Sequence, residues 1–152
     1  MSEKKELEVS AIENGTVIDH IPADVTFKVV QLLDLYDYKG AITIGSNLSS
    51  KTLGRKGIIK VADKFFPDEV INRLAVIAPN VTLNIIRDYK IAEKKFVKFP
   101  KVIQGVVRCS NPKCVTNHQP VPTKMEVFDS AQKSLRCVYC ERVMQHAEIE
   151  LL

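Results

Sequence analysis

The sequence predicts an α+β chain in two parts, an antiparallel sheet carrying two helices and then a small all-β module. Three observations carry this reading. Up to Lys94, short β-branched runs alternate with two stretches in which apolar residues recur about once per helical turn. The four cysteines, Cys109, Cys114, Cys137 and Cys140, are the only ones in the chain and all fall in its last third. Finally, 152 residues give room for one ordinary domain plus a second that is too small to hold together by apolar burial alone. The boundary is expected near residue 100, giving domains 1–99 and 100–152.

Leu7, Val9 and Ala11 alternate with polar neighbours and predict a strand with one buried face, after which Asn14-Gly15 supplies a hairpin turn. Thr16 to Ile21 returns as a second strand that Pro22 stops. Asp24 is placed to cap a helix in which Phe27, Val30 and Leu33 recur, fading at Tyr36 to Gly40. Ala41 to Ile44 predicts a short strand and Gly45 to Gly54 a polar loop. Lys56 to Val61 predicts a further strand, with Lys56, Ile58 and Lys60 on one face by parity. Pro67 opens the second helix, with Asp68 and Glu69 in its first turn and Val70, Leu74 and Ile77 along one side, until Ala78-Pro79 ends it. Val81 to Arg87 and Tyr89 to Lys94 predict two closely spaced strands. From Thr16 to Arg87 the order strand, helix, strand, strand, helix, strand is the split βαβ arrangement of ferredoxin-like folds, its sheet widened by the flanking strands.

Lys95 to Gly105 mixes lysines with Phe96, Val97, Phe99, Pro100 and Val102 and reads as a packed linker. After it, Val106 to Arg108, Thr123 to Phe128, Leu135 to Cys137 and Val143 to Ile149 are strand candidates. The cysteines form Cys-x4-Cys, then 22 residues, then Cys-x2-Cys. Each pair spans a tight turn, and two such turns face to face offer four thiolates at the corners of a tetrahedron, which is what zinc requires. Disulfide pairing is the alternative. The charged start Met1 to Glu8, with no signal peptide, predicts a cytoplasmic, reducing setting in which disulfides rarely persist. Four sulfurs leave no open position for water, so one structural zinc per chain is expected, holding a fold and performing no chemistry. His118 is weighed as a substitute ligand and read as a surface histidine.

With 45% hydrophobic and 26% charged residues the composition is globular, and no apolar run approaches the ~20 residues of a membrane span, which excludes membrane insertion. The net charge of +4 invites nucleic acid until it is divided by region. Residues 1–99 carry 15 Lys+Arg against 13 Asp+Glu, and residues 100–152 carry 7 against 5. A zinc on four thiolates adds a formal −2 to the second part, leaving it near neutral and a poor binder of phosphate backbones.

Gly45 to Thr52 misses a phosphate-binding loop by one residue, Ser50, and Gly54 and Gly57 would break the helix that such a loop must open. Asp19 and His20 are adjacent on a strand, so parity sends them to opposite faces and denies them a catalytic dyad. No serine, cysteine or lysine stands in a recognisable nucleophile setting, and the chain reads as non-catalytic. From Tyr38 to Ala62 there is no acid, while Lys39, Lys51, Arg55, Lys56 and Lys60 are present, and Arg87, Lys90, Lys94, Lys95 and Lys98 follow. A solvated basic face is the plain reading of such runs. Yet Lys56, Lys60, Lys90 and Lys94 are all even-numbered strand residues that parity can gather on one sheet face, where converging lysines suit a polyphosphate better than a long duplex. On these residues two classes stay open, a nucleotide-sensing regulatory subunit and a zinc-ribbon nucleic-acid binder. The near-neutral second part, with few aromatics, argues against the latter.

Three stretches and the cysteine pattern resemble, in order and over essentially the whole chain, the regulatory chain of aspartate carbamoyltransferase. The stretches are Glu13-Asn-Gly-Thr-Val-Ile-Asp-His-Ile-Pro22, Gly54-Arg-Lys-Gly-Ile-Ile-Lys60 and Thr82-Leu-Asn-Ile-Ile-Arg-Asp-Tyr89. The resemblance implies an allosteric domain that binds CTP and ATP, with UTP a further candidate, and that pairs two copies of the chain as a homodimer. It also implies a zinc domain that docks on the catalytic chain making carbamoyl aspartate for pyrimidine synthesis. By the same resemblance Val9, Ala11, Ile12 and Val17 would line the base pocket, with Ile86, Tyr89 and Ile91 near base or ribose. Asp19 and Lys60 would meet the ribose, His20 and Lys94 the phosphates, with Asn84 and Lys56 close by. Asn111 and Arg142 match positions that contact the catalytic chain, Arg142 standing where the best-known member has lysine.

Overall fold

The computed structural model describes residues 11–51 and 53–152 and divides the chain into two compact units, Met1–Lys98 and Phe99–Leu152. In the first unit a five-stranded antiparallel sheet is built on β1 (Gly15–Pro22), whose residues Gly15 to Ile18 are all buried. β2 (Ile42–Ser50), β3 (Gly54–Ala62), β4 (Thr82–Arg87) and β5 (Lys90–Phe96) complete the sheet in the order β2-β3-β1-β4-β5. The first four strands thus have the expected ferredoxin-like order, and β5 widens the sheet beside β4. Between the strands lie α1 (Thr26–Leu32), entered through a 3-10 turn at Ala23–Val25, and α2 (Asp68–Arg73), continued by a 3-10 turn at Leu74–Val76. Ile18, Ile21, Ile59, Val61 and Leu83 of the sheet pack against Val29, Val30, Leu33, Ile71 and Leu74 of the helical segments. Each such side chain, fully buried, contributes about 1.5–3 kcal/mol, so this is the face that holds the unit together and the opposite face is left for other work.

Several local expectations are corrected. The predicted strand before Asn14 lies largely outside the described residues, but a hairpin from it into β1 is ruled out, because β3 and β4 occupy both edges of β1 from Gly15 onward. Asn14 instead fastens the sheet's ends: its backbone carbonyl accepts from Asp63 and its Oδ1 accepts from the Asp88 backbone N–H. Asp24 lies inside the 3-10 turn and caps nothing, and Phe27 is exposed while Thr26, Val29, Val30 and Leu33 turn inward. On α2 the buried residue is Ile71, and in the 3-10 turn that continues it Leu74, Ala75 and Val76 are buried, with Val70 and Ile77 packed against the core. The predicted loop at Gly45 to Gly54 is mostly strand: β2 runs on to Ser50 and pairs with β3 down to Ser50 opposite Gly54. Pairing along β3 overrides the weak strand preference of Gly45, Ser46 and Asn47, with a bulge at left-handed Asn47 absorbing the mismatch.

In the second unit, β6 (Val102–Gln104), β8 (Lys124–Asp129), β9 (Ser134–Cys137) and β10 (Val143–Met144) form an antiparallel sheet in the order β10-β9-β8-β6. β7 (Val107–Arg108) and β11 (Glu150–Leu151) form a separate ribbon. The expected linker is therefore shorter than Lys95 to Gly105, since Lys95 and Phe96 end β5 and Val102 to Gln104 form β6. The expected strand at Val143 to Ile149 is broken after Met144 by a turn with a reciprocal capping box between Gln145 and Glu148. Ile103, Val107, Met125, Leu135 and Met144 are the large apolar side chains buried here, a small core for about fifty residues.

Candidate polyphosphate face and metal centre

The sheet face turned away from the helices carries a register row that parity alone nearly foretells. Val17 of β1 pairs with Lys60 of β3 on one side and Asn84 of β4 on the other, and Asn84 pairs with Lys94 of β5. Directly paired residues share a face, so two lysines flank Val17 and Asn84 across four strands. Asn84 Oδ1 is buried and finds no hydrogen-bond partner among the described residues. A buried acceptor left so is costly unless another molecule satisfies it. Burial also lowers the Lys60 ammonium from its ordinary value, with the Asp19 carboxylate partly opposing the shift. Lys60 is thus a cation held part-way out of water, and an anion arriving beside it would restore what burial removes.

Beyond this row the strands are irregular, and here two parity expectations fail. The β1–β3 register shifts between Ile18 and Ile21, and His20 sits in that bulge with φ 59°. Its ring Nδ1 lies 3.1 Å from Thr82 Oγ1, and Thr82 is the partner of Asp19 across β1–β4, so His20 turns to the same face as Asp19. The Asp19 carboxylate accepts from the His20 backbone N–H at 2.6 Å and from Lys56 Nζ at 2.9 Å, in a pair only about one-fifth exposed on each side. A second bulge, between Ile85 and Ile86, sets Ile86 opposite Ile91 and Arg87 opposite Lys90. Ile91 therefore joins Ile86 on the open face, and Lys90 leaves the lysine patch for the other side. Thr82 escaped sequence reasoning, although its register with Asp19 could have pointed to it.

One end of this face is closed by the β4–β5 turn. Asp88 and Tyr89 both have positive φ, the signature of a tight primed hairpin, and the Tyr89 N–H donates to the Glu13 carbonyl at 2.9 Å. That bond brings Glu13, and with it half-buried Ile12 and exposed Ala11 next to it in the chain, up to the turn that carries the exposed Tyr89 ring. Val9 lies outside the described residues.

In the second unit the four cysteines converge, with all four sulfurs within 4.8 Å of one another. Cys109 and Cys140 sulfurs are 3.6 Å apart and those of Cys114 and Cys137 3.8 Å. These separations exclude disulfides, whose sulfurs lie ~2.05 Å apart, and match the edge of about 3.8 Å that a tetrahedron with ~2.3 Å metal–sulfur bonds requires. The first turn is held by the Asn111 carbonyl accepting from the Cys114 N–H, and by Asn117 Nδ2 donating to the Cys109 and Asn111 carbonyls. In the second turn Glu141, at φ 66°, donates its N–H to the Cys137 carbonyl. Burial pushes the Cys109 thiol up to about 12, and the Cys137 thiol is raised for the same first reason. Burial opposes ionisation at Cys140 too, but hydrogen bonds from the Arg142 backbone N–H, the Asn111 side chain and the Cys109 and Cys137 thiols together outweigh it and bring that thiol down to about 7. Four ionised thiolates in this space need a cation among them, and the cluster fits one. His118 is exposed and its Nε2 lies 2.7 Å from the Pro112 carbonyl, away from the cluster's ligand set. Asn111 and exposed Arg142 lie beside the two metal turns, the Arg142 carbonyl accepting from the Cys137 N–H.

Comparison with known proteins agrees with both units. Residues 7–98 match the family model of the aspartate carbamoyltransferase regulatory chain, allosteric domain, and residues 101–150 match that of its metal binding domain. The chain belongs to the aspartate carbamoyltransferase regulatory chain family. A regulatory chain of that name from Bacteroides thetaiotaomicron is 56% identical over 153 residues, covering 100% of both chains. One from Porphyromonas gingivalis is 55% identical over 149 residues, 98% of this chain and 99% of the relative. One from Pyrococcus abyssi is 51% identical over 146 residues, 95% of this chain and 96% of the relative. The family is a regulatory one, and its models divide it into an allosteric part, which covers the five-stranded sheet, and a metal-binding part, which covers the cysteine cluster.

Proposed function

We propose that this chain is a non-catalytic subunit of aspartate carbamoyltransferase in pyrimidine biosynthesis, and that it senses CTP and ATP, with UTP a third ligand of the same site. The observation that carries the reading is the row Lys60–Val17–Asn84–Lys94, an apolar residue and an unsatisfied acceptor set between two cations. Lys94 and His20 meet the phosphates, Lys60 and Asp19 the ribose, with Lys56 held nearby by Asp19. Ala11, Ile12, Val17, Ile86, Tyr89 and Ile91 surround the base and ribose, joined by Val9. Residues 1–99 form the allosteric domain, and two copies pair through it.

Residues 100–152 hold one zinc on Cys109, Cys114, Cys137 and Cys140. The ion supplies four strong bonds that hold the two turns together where the small core cannot. Those turns present Asn111 and Arg142 to the catalytic chain in the cytoplasm. The nucleotide acts by favouring one of two states of the assembled enzyme, and it can do so only through different affinities for the two. Titration calorimetry with CTP and ATP should show competition for one site in this chain. No binding, or a preference for oligonucleotides over mononucleotides, would overturn the reading.

A further inference from the structure

Among the described residues β5 is an edge strand, held by hydrogen bonds to β4 on one side only, and six of its seven residues are exposed. Lys94 points to the open face through its pairing with Asn84, whereas Lys95 pairs with core residue Leu83 and turns to the helix side. There Lys95 Nζ reaches Asp68 Oδ1 at 3.1 Å, with Glu93 Oε2 at 3.6 Å. The hydrogen bond that Lys95 donates to Asp68 raises its ammonium above its ordinary value. One helical turn further on, Asn72 Oδ1 accepts from the Lys98 backbone N–H at 2.9 Å. Between these two contacts runs a groove of about 300 Å³ lined by Asp68, Ile71, Asn72, Lys95, Phe96 and Lys98. An exposed ion pair and one hydrogen bond add little to stability, so they matter for where they hold the chain. Asp68 and Asn72 stand on the same side of α2, four residues apart, and fasten both the end of β5 and Lys98, the last residue of the first unit.

We propose that Asp68 and Asn72 are positioning residues of the allosteric domain: they lock β5 and the departing chain to α2, so that a change at Lys94 is delivered to the second unit through residue 98. The proposal rests on the reading of Lys94 as a phosphate contact. Without the two fastenings β5 would yield locally, and nucleotide binding would be spent in the edge strand.

The test uses regulatory chains carrying Asp68→Asn, Asn72→Ala or both, reassembled with the catalytic chain. CTP affinity is measured by calorimetry on each regulatory chain, and the CTP-induced change in half-saturating aspartate on each assembled enzyme. The expected result is a CTP Kd within about twofold of wild type, with the CTP-induced change reduced about threefold or more in the double variant. Exchanging the charges, with Asp68→Lys and Lys95→Asp together, should recover part of what Asp68→Asn loses. An undiminished response would overturn the proposal, as would a Kd weakened in proportion to the response, which would make these residues part of the nucleotide site. A wild-type chain that binds no CTP would overturn the nucleotide reading itself, and this proposal with it.

Discussion

Lys60 is costly to the ligand-free fold, and on the proposed reading it serves the ligand. Its folded pKa is lowered chiefly by burial, so between that lowered value and its ordinary 10.5 the folded state holds fewer protons than the unfolded one. Stability therefore climbs as pH rises through this window, and below it the penalty is present in full. Lys60→Met should raise the melting temperature of the nucleotide-free chain at neutral pH while removing the extra stabilisation that CTP gives; a lower melting temperature would show that burial is not what the lysine suffers from. Lys60→Ala and Lys94→Ala should each weaken the triphosphate by about 1.5–3 kcal/mol in calorimetry, the range for charge-assisted hydrogen bonds. The face of Lys60 was legible in the sequence because β1 and β3 pair regularly from Gly15 to Ile18, and that of Lys94 because β4 and β5 pair regularly from Thr82 to Ile85, where alternation holds. His20 and Lys90 were misread because each lies beside a bulge, and an inserted residue leaves no mark in composition or alternation.

At the level of elements, the fold rests on close approaches that only small residues permit. Gly57 of β3 faces α1, where an added Cβ would meet Thr26 Oγ1 at 2.0 Å and Thr26 Cγ2 at 2.8 Å. Gly57→Ala should destabilise the first unit by about 1–3 kcal/mol in chemical denaturation, leaving the metal content unchanged. The two helices were visible in their periodicity, which placed Val30, Leu33 and Leu74 in the core and Val70 and Ile77 against it; only Phe27 was misread, since the 3-10 turn through which α1 is entered rotates the stripe. β2 was hidden because its second half, Gly45 to Ser50, becomes a strand through its neighbour β3. The cysteine turns, by contrast, were read from spacing alone, because a metal site imposes its geometry on the sequence. Chelation, or Cys137→Ala, should unfold residues 101–152 while the first sheet keeps its circular dichroism signal. Metal uptake must displace protons from the raised Cys109 and Cys137 thiols, so metal affinity in competition titrations should fall as pH is lowered.

For the molecule as a whole, the proposed function is that of an adaptor: one part reads a nucleotide, another grips a partner enzyme, and the chain between them carries a bias. The partner was beyond any reading of composition or periodicity, since no residue pattern in one chain spells out another; only likeness to known chains reached it. Coupling of this kind is reciprocal, so an aspartate analogue bound to the catalytic chain must change nucleotide affinity here by the same factor that the nucleotide changes the analogue's. The most direct measurement is the aspartate saturation curve of the catalytic chain, alone and reassembled with this chain, with and without CTP and ATP. Nucleotides are expected to shift the half-saturating aspartate only in the reassembled enzyme, by ~5-fold or more if the coupling is of ordinary strength. A curve that the regulatory chain and its nucleotides leave unmoved, or turnover of nucleotide by this chain on its own, would contradict it.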